Sequence, residues 1–163
     1  MKITHTVYLL TGSNIGDRQL HLQHALEKIK AVAGSIISTS AIYQTQPWGV
    51  MNHEDYLNQA IQIETLLPAI ELFEALRAIE ISEGRTGSEK NTPRTLDIDI
   101  LFYDDLNLEA DQLIIPHPRL HQRRFVLEPL CDIAPDFMHP KIKKTVKDLL
   151  KDCTDGLQVK KVS

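Results

Sequence analysis

Pro93-Arg94-Thr95-Leu96-Asp97-Ile98-Asp99-Ile100-Leu101 is the stretch whose pattern is most specific for a fold. Apolar and acidic residues alternate along it, which is typical of a β-strand because successive strand side chains point to opposite faces. The pattern predicts a strand over residues 95–103, with α-carbons of Asp97 and Asp99 roughly 7 Å apart. One face then carries these two aspartates, and the other carries Leu96, Ile98, Ile100 and Phe102.

The chain before this strand alternates between strand and helix patterns. Strands are predicted over residues 6–11, 36–43 and 56–65 from β-branched runs or period-two alternation. Helices are predicted from three- and four-residue apolar spacing, one between Asp17 and Gly34 and one between Pro68 and Gly84. The order β-α-β-β-α-β predicts an α+β, ferredoxin-like sandwich in which helices cover one side of an antiparallel sheet.

The pattern after residue 104 is weaker. It predicts a short strand near residues 113–115, a helix or turn near 119–130, and a polar terminal helix from Thr145. The sequence contains no internal repeat, low-complexity tract or linker-like segment. A single domain over residues 1–163 is therefore expected, a length that suffices to enclose a hydrophobic core.

Composition limits the classes of function. The net charge of −4 argues against a general nucleic-acid binder, which needs a basic surface to displace counterions. The apolar run at residues 7–10 is too short for a signal peptide, and no stretch is long enough to span a bilayer. The two cysteines, Cys131 and Cys153, form no CxxC motif, which favours a reducing compartment. We expect a cytoplasmic monomer without a membrane or nucleic-acid partner.

The aspartate pair indicates a site for hard cations. Aspartate is a poor strand former and adjacent like charges repel, so the pair is either a solvated strand face or a ligand pair. Oxygen ligands favour Mg²⁺, which keeps one or two protein carboxylates when it binds nucleotide phosphates. Several basic residues near the pair favour a polyphosphate site, since guanidinium groups match phosphate oxygens: Arg85, Lys90, Arg94, Arg119, Arg123 and Arg124.

Other motifs are less specific. The segment Gly12-Ser13-Asn14-Ile15-Gly16 resembles a phosphate-binding loop, but it is more often a strand-to-helix turn, and the P-loop motif is absent. His117 and His121 have HxxxH spacing, but Pro118 disfavours a shared helical face, so a phosphate-facing or structural role is predicted for His117. Aromatic side chains and an amide supply either core packing or contacts to a heterocycle: Tyr43, Trp48, Tyr56, Phe125 and Asn58.

Several segments together resemble the 6-hydroxymethyl-7,8-dihydropterin pyrophosphokinase family of folate biosynthesis. The 93–101 segment is similar to that family's signature. Further segments agree with it in order and spacing between residues 12 and 127: Gly12-Ser13-Asn14, Thr45-Gln46-Pro47-Trp48-Gly49, Asp55-Tyr56-Leu57-Asn58, Ile79-Glu80 with Gly84-Arg85, Ile115-Pro116-His117-Pro118, and Arg123-Arg124-Phe125-Val126-Leu127.

The resemblance implies the ferredoxin-like fold and transfer of pyrophosphate from ATP to the pterin hydroxymethyl group, with release of AMP. It implies that Asp97 and Asp99 bind two Mg²⁺ ions and act in catalysis with Arg85 and Arg94. The residues that it implies for ATP are Glu80, Arg85, Arg94, Ile100, His117 and Arg123. Those that it implies for the reduced pterin are Thr45, Gln46, Pro47, Trp48, Tyr56, Asn58 and Phe125.

Two positions depart from the family pattern. Asn91 stands where better-known members have a tryptophan, and Gly87 stands where some members have a loop arginine. Residues 84–92 are polar and contain two glycines, which predicts a lid over the triphosphate.

Two other classes of function remain open at this stage. One is a ferredoxin-like binding module for RNA or a regulatory ligand, which an acidic pair on the sheet disfavours. The other is a different metal-dependent nucleotidyl or glycosyl transferase that uses the same Asp-x-Asp pair.

Overall fold

The computed structural model describes residues 3–45, 55–84 and 95–162. Its N-terminal part contains five strands and two helices in the order β1, α1, β2, β3, β4, α2, β5. Their bounds are His5–Ser13, Arg18–Val32, Ser35–Thr39, Tyr43–Thr45, Tyr56–Thr65, Ala69–Ser82 and Asp97–Tyr103. Both predicted helices are confirmed, and the side chain of Asp17 caps α1 by accepting a hydrogen bond from the Leu20 amide.

Together with the final strand β8 (Val159–Lys161), the described strands form a six-stranded sheet in the order β5-β1-β4-β3-β8, with β2 also paired to β4. The pairs β1–β4 and β1–β5 are antiparallel, as a ferredoxin-like order requires. The predicted single strand over 36–43 is divided into β2 and β3. Ser40 lies at the division, where its amide donates to the Ala60 carbonyl and its hydroxyl accepts from the Ala60 amide.

Helices cover both sides of the sheet, so the prediction of one covered side was incomplete. Alternate residues of β1 enter different cores: Val7 and Leu9 pack with α1 and α2, whereas Tyr8 and Leu10 pack with the helices that follow β5. The later helices are α3 (Arg124–Ile133) and α4 (Val146–Asp152), so we call the two sides of the sheet the α1/α2 face and the α3/α4 face. The predicted helix or turn near residues 119–130 and the predicted helix from Thr145 are found there, but their packing on a second side of the sheet was not predicted, because it joins segments that are distant in the chain.

A bulge in β5 corrects one sequence prediction. The register with β1 passes from Leu9 opposite Ile100 to Tyr8 opposite Phe102, so that Leu101 has no partner. Strict alternation therefore ends at Ile100. Phe102 packs on the α3/α4 face with Leu101, and not with Ile98 as predicted.

The C-terminal part supplies the second layer. A two-stranded ribbon (β6 and β7), a 3₁₀ turn, two helices (α3 and α4) and a final strand (β8) follow. Their bounds are Leu108–Glu109, Ile114–Ile115, Leu120–Gln122, Arg124–Ile133, Val146–Asp152 and Val159–Lys161. The strand β8 pairs with β3 and was not predicted. Within the described residues, no helix combines the length and apolar character needed to cross a membrane.

Candidate active site

Three neighbouring strands bring predicted site residues into one row. Gly12 of β1 pairs with Asp97 of β5 on one side and with Asn58 of β4 on the other. Adjacent strands lie about 4.8 Å apart, so the α-carbons of Asp97 and Asn58 are separated by about 10 Å. Their side chains belong to the α3/α4 face, because the neighbouring residues Ile98 and Leu57 pack into the α1/α2 core. The row thus joins the acidic pair to the amide.

Gly12 keeps the middle of this row open. A β-carbon added there would lie 2.5 Å from Asn58 Nδ2 and 3.6 Å from Tyr56 Cδ1. The first distance is shorter than any stable contact between these atoms, so a side chain at residue 12 would displace Asn58. The local sequence predicts a turn at this glycine, whereas the structure places it inside β1. Its role as a spacer depends on the strand pairing, which local sequence does not report.

Glu80 supports the acidic pair from the α1/α2 side. Its carboxylate is 3% exposed and accepts a hydrogen bond of 2.7 Å from the amide of Ile98, the residue between the two aspartates. Arg77 donates to the other carboxylate oxygen at 3.2 Å. This contact holds β5 in place beneath Asp97 and Asp99. It favours a positioning role for Glu80, while direct contact with ATP stays a prediction.

His117 lies beside the acidic strand because of the bulge. The His117 amide donates to the carbonyl of Leu101, the unpaired bulge residue, at 3.1 Å. Its Nδ1 accepts from the Arg119 amide at 3.3 Å, which assigns the proton of the neutral ring to Nε2. Burial, followed by the charges of Arg123 and Arg119, lowers the pKa of His117 to about 4. His117 is therefore a neutral hydrogen-bond donor at neutral pH.

Arg123 connects the acidic pair to the aromatic residues. It precedes α3, and its guanidinium carbon lies 5.6 Å from the centre of the Phe125 ring, within the range of a cation–π interaction. Burial and the charge of Arg119 lower the pKa of Arg123, while Asp99 and Asp155 oppose that shift. The guanidinium still carries its charge at neutral pH, so a half-buried cation stands near Asp99.

Two buried polar atoms on the same sheet face lack a hydrogen-bond partner among the residues that the structure describes. They are Oγ1 of Thr45, which is 2% exposed, and Oδ1 of Asn58, which is 4% exposed. Thr45 pairs with Tyr56, two residues along β4 from Asn58. Asn58 donates its Nδ2 to the Thr11 carbonyl at 3.2 Å, which leaves the acceptor oxygen for a ligand. Unsatisfied buried acceptors are uncommon and fit a polar heterocycle.

A pocket of about 260 Å³ lies at the outer edge of β5. Asp99, Ile100 and His117 line it together with Phe73 of α2 and residues 111–114. Its apolar walls next to a carboxylate and a neutral histidine suit a flat base attached to a charged group. Phe73 and residues 111–114 were not predicted as site residues, since only the packing of α2 and β7 against β5 brings them there.

The described part of the chain includes ten of the predicted site residues. Six surround the acidic strand and its edge: Glu80, Asp97, Asp99, Ile100, His117 and Arg123. Three lie on the β3–β4 side, namely Thr45, Tyr56 and Asn58, and Phe125 stands at the start of α3. Most of the predicted lid lies outside the described ranges. The same is true of the remaining predicted site residues, which are Gln46, Pro47, Trp48, Arg85 and Arg94.

The fold and the site define a ferredoxin-like protein whose acidic pair stands beside a cationic and aromatic cleft. Comparisons with known proteins agree with that class. A model of the 7,8-dihydro-6-hydroxymethylpterin-pyrophosphokinase (HPPK) family matches residues 8–135. The chain is 41% identical over 133 residues to the 2-amino-4-hydroxy-6-hydroxymethyldihydropteridine pyrophosphokinase of Bacillus subtilis, covering 81% of this chain and 80% of the relative. It is 40% identical over 153 residues to the Synechocystis protein of the same name, covering 92% and 78%.

The chain belongs to the 7,8-dihydro-6-hydroxymethylpterin-pyrophosphokinase family. Solved structures agree in fold: wild-type HPPK-DHPS from Plasmodium falciparum superposes with a TM-score of 0.76 at 16% identity. That match covers 93% of this chain and 44% of the longer protein. The predicted family and ferredoxin-like fold are thus confirmed.

Proposed function

We propose that this chain transfers the pyrophosphoryl group of ATP to the hydroxymethyl oxygen of 6-hydroxymethyl-7,8-dihydropterin, using two Mg²⁺ ions held by Asp97 and Asp99. The reaction is that of its family, a step of folate biosynthesis. The metal count and the residue roles belong to the same proposal. The observation that supports it most is the row Asp97–Gly12–Asn58, in which one strand separates a carboxylate suited to a hard ion from an amide with an unused acceptor.

The nucleotide occupies the side of β5. The adenine enters the pocket formed by Ile100, Phe73 and residues 111–114, and the triphosphate runs past Asp99. His117 donates from Nε2 to a phosphate oxygen, and Arg123 pairs with the phosphate charge. Arg85 and Arg94, which lie outside the described residues, are further proposed ligands of the phosphates. Charge neutralisation by arginine and a neutral donor suits an anion as large as ATP.

The pterin occupies the side of β4. The free Oδ1 of Asn58 and the hydroxyl of Thr45 accept hydrogen bonds from the ring's amino and amide N–H groups. Tyr56 and Phe125 hold the two ring faces. Gln46, Pro47 and Trp48, which lie outside the described ranges, are further proposed pterin ligands. An amide that fixes the ring edge also fixes the direction of the hydroxymethyl group, which must point across Gly12 toward the acidic pair.

The transfer is an in-line displacement. The hydroxymethyl oxygen forms a bond to the β-phosphorus of ATP, the bond from that phosphorus to the α–β bridging oxygen breaks, and AMP leaves with that oxygen. The hydroxyl proton passes to solvent. Mg²⁺, where it is bound, supplies charge neutralisation and polarises the phosphoryl oxygens. The chain's own residues align the two substrates and exclude water, which is most of what phosphoryl transfer requires of a protein.

Further expectations concern the whole chain. A single domain and a monomer remain proposals, supported by the continuous cores on the two sides of one sheet. A cytoplasmic location is proposed because both cysteines, Cys131 and Cys153, are free thiols.

The test is a product assay with ATP, Mg²⁺ and hydroxymethyldihydropterin, read by mass spectrometry. We expect AMP and the pterin diphosphate in equal amounts, and a loss of at least about a thousandfold in kcat for Asp97→Asn and for Asp99→Asn. Asp105→Asn removes the same charge from an exposed position after the same strand and should retain full activity.

Each alternative has its own outcome in this assay. ADP or free pyrophosphate as product would indicate a different transferase. Absence of turnover by the folded wild-type chain would favour a binding module. Near-normal activity of either aspartate variant with Mg²⁺ present would contradict the assignment of the metal ligands.

A further inference from the structure

A second group of potential metal ligands lies on the other side of the sheet from the acidic pair. His21 and His24 are three residues apart on α1, and Glu83 follows the end of α2. His21 Nδ1 lies 2.7 Å from Glu83 Oε2, and His24 Nδ1 lies 3.2 and 3.3 Å from the two carboxylate oxygens. One ligand atom from each residue falls within 4.8 Å of the others, which no other group of three such residues does in the described ranges.

These distances are close to those of a bound ion. Zinc–nitrogen and zinc–oxygen bonds near 2.1 Å place neighbouring tetrahedral ligands about 3.4 Å apart. His24 is close to this separation from the carboxylate, and His21 would move outward by about 0.7 Å. The histidines are 21% and 38% exposed, whereas the Glu83 side chain is 7% exposed. An ion could therefore reach the imidazoles while the carboxylate anchors it from below.

The donor types select the class of metal. Two imidazole nitrogens and one carboxylate suit Zn²⁺ and its first-row neighbours, while Mg²⁺ prefers oxygen ligands only. We propose that His21, His24 and Glu83 form a transition-metal site, with Zn²⁺ as its probe ion, that joins α1 to the end of α2. It is separate from the Mg²⁺ centre, because α1 and α2 cover one face of the sheet and Asp97 and Asp99 lie on the other.

Lys28 holds the carboxylate when no metal is bound. Its ammonium donates to Glu83 Oε1 at 2.7 Å and to the Ser82 hydroxyl at 2.8 Å. Burial raises the pKa of Glu83, but the hydrogen bonds from Lys28, His21 and His24 outweigh it and lower the pKa to about 2. The carboxylate is thus always ionised near neutral pH. Lys28 competes with an incoming cation, and its side chain is 37% exposed, so it can swing into solvent.

The proposed metal site lies next in sequence to a segment that contains two predicted active-site arginines. Glu83 and Gly84 immediately precede residues 85–94, the segment that contains Arg85 and Arg94 and leads into β5. A metal bond between α1 and Glu83 would restrain the chain where that segment begins. The expected consequence is greater resistance to unfolding, by linkage of metal binding to the folded state.

The experiment measures Zn²⁺ and Co²⁺ binding by the full chain without a polyhistidine tag, in excess Mg²⁺. We expect one ion per chain by equilibrium dialysis, a rise in unfolding temperature, and visible Co²⁺ absorption bands without the charge-transfer band of a thiolate ligand. His24→Ala and Glu83→Gln should weaken binding by about tenfold or more. Lys28→Met should strengthen it several-fold, a change that no merely structural ion-pair cluster would show.

Controls separate this site from others. His5→Ala removes a half-exposed histidine that pairs with Asp104 at the far end of β1, and it should leave binding unchanged. The double variant Asp97→Asn/Asp99→Asn should also bind Zn²⁺ normally, even though it cannot turn over substrate. The proposal is overturned if the wild-type chain binds no stoichiometric Zn²⁺, if binding persists unchanged in His24→Ala, or if it disappears with the aspartate pair. His24→Ala also serves if Glu83→Gln fails to fold.

Discussion

At the scale of single residues, Gly12 has the most specific structural requirement in the site. It lies between Asp97 of β5 and Asn58 of β4, and the side chain of Asn58 uses the space that its missing side chain leaves. Gly156 offers the opposite case, because a β-carbon added there would meet no atom within 4 Å. The two glycines therefore form a matched pair for mutation.

Gly12→Ala is expected to weaken pterin binding by about tenfold and to destabilise the fold by about 1–3 kcal/mol, the usual cost of overpacking. The physical reason is the 2.5 Å approach of the new methyl group to Asn58 Nδ2. Calorimetric titration with the pterin and denaturant unfolding measure the two effects. Gly156→Ala should change neither. Unaltered pterin affinity in Gly12→Ala would show that Asn58 does not orient the substrate.

At the scale of elements, two contacts place the catalytic strand and the nucleotide residues. Glu80 of α2 accepts the Ile98 amide of β5. Asp155, in the segment after α4, accepts the Arg124 amide at the start of α3 through Oδ2 at 3.0 Å, and it accepts the Leu157 amide through Oδ1 at 2.9 Å. Neither contact touches a substrate in the proposal. Both determine where substrate-binding residues stand.

Glu80→Ala is expected to cost about 2–3 kcal/mol of stability, because it leaves the buried Ile98 amide unsatisfied. It should also raise the Mg²⁺ concentration required for half-maximal activity, since β5 carries both metal ligands. Unfolding and Mg²⁺ titration of the reaction test the two effects. Glu74→Ala, an exposed change on the same helix, is the control. An unchanged Mg²⁺ requirement would remove Glu80 from the positioning role.

Asp155→Ala removes the N-terminal cap of α3 and should cost about 1 kcal/mol of stability. Because Arg123 and Phe125 stand at that end of the helix, the KM for ATP and the KM for the pterin should both increase several-fold. Steady-state kinetics with each substrate varied in turn provide the measurement. Asp136→Ala, which breaks only an exposed pair with Lys147, should have little effect. Identical KM values in both variants would contradict the link between the cap and the site.

At the scale of the whole molecule, buried histidines couple stability to pH. His139 is 3% exposed, and its Nδ1 accepts the amides of Lys141 and Ile142. Burial, together with the charges of His121 and Lys141, lowers its pKa from 6.5 to about 4. His139 therefore becomes protonated near pH 6.5 in the unfolded chain, but only near pH 4 in the folded chain. Stability is fully present above pH 6.5 and falls as the pH decreases through that window.

For His139 this coupling predicts a loss of about 2 kcal/mol between pH 7.5 and pH 5. The free energy of unfolding at the two pH values gives the measurement. His139→Asn keeps an acceptor for the two amides without a titrating ring, so its loss over the same interval should be smaller by about that amount. Glu83 does not contribute there, since its pKa of about 2 makes it matter only below pH 4.5. Equal pH dependence in both proteins would contradict the prediction.

Features that depend on a local pattern could be predicted from the amino-acid order. The alternation of β4 gave its bounds of Tyr56–Thr65, and the aspartate pair indicated its chemistry before any fold was known. The N-cap at Asp17 and the start of α2 after Pro68 followed in the same way. Such features can be predicted because the interactions that form them join residues only a few positions apart.

Features that join distant segments could be recognised only in the folded chain. The spacer role of Gly12, the anchoring of β5 by Glu80 and the bulge at Leu101 depend on which strands pair and in which register. The same holds for the group His21, His24 and Glu83, because Glu83 lies 62 and 59 positions from the two histidines. A contact between distant residues forms only when both partners are brought together, and the burial of apolar side chains from the whole chain decides which segments meet. No local pattern contains that information.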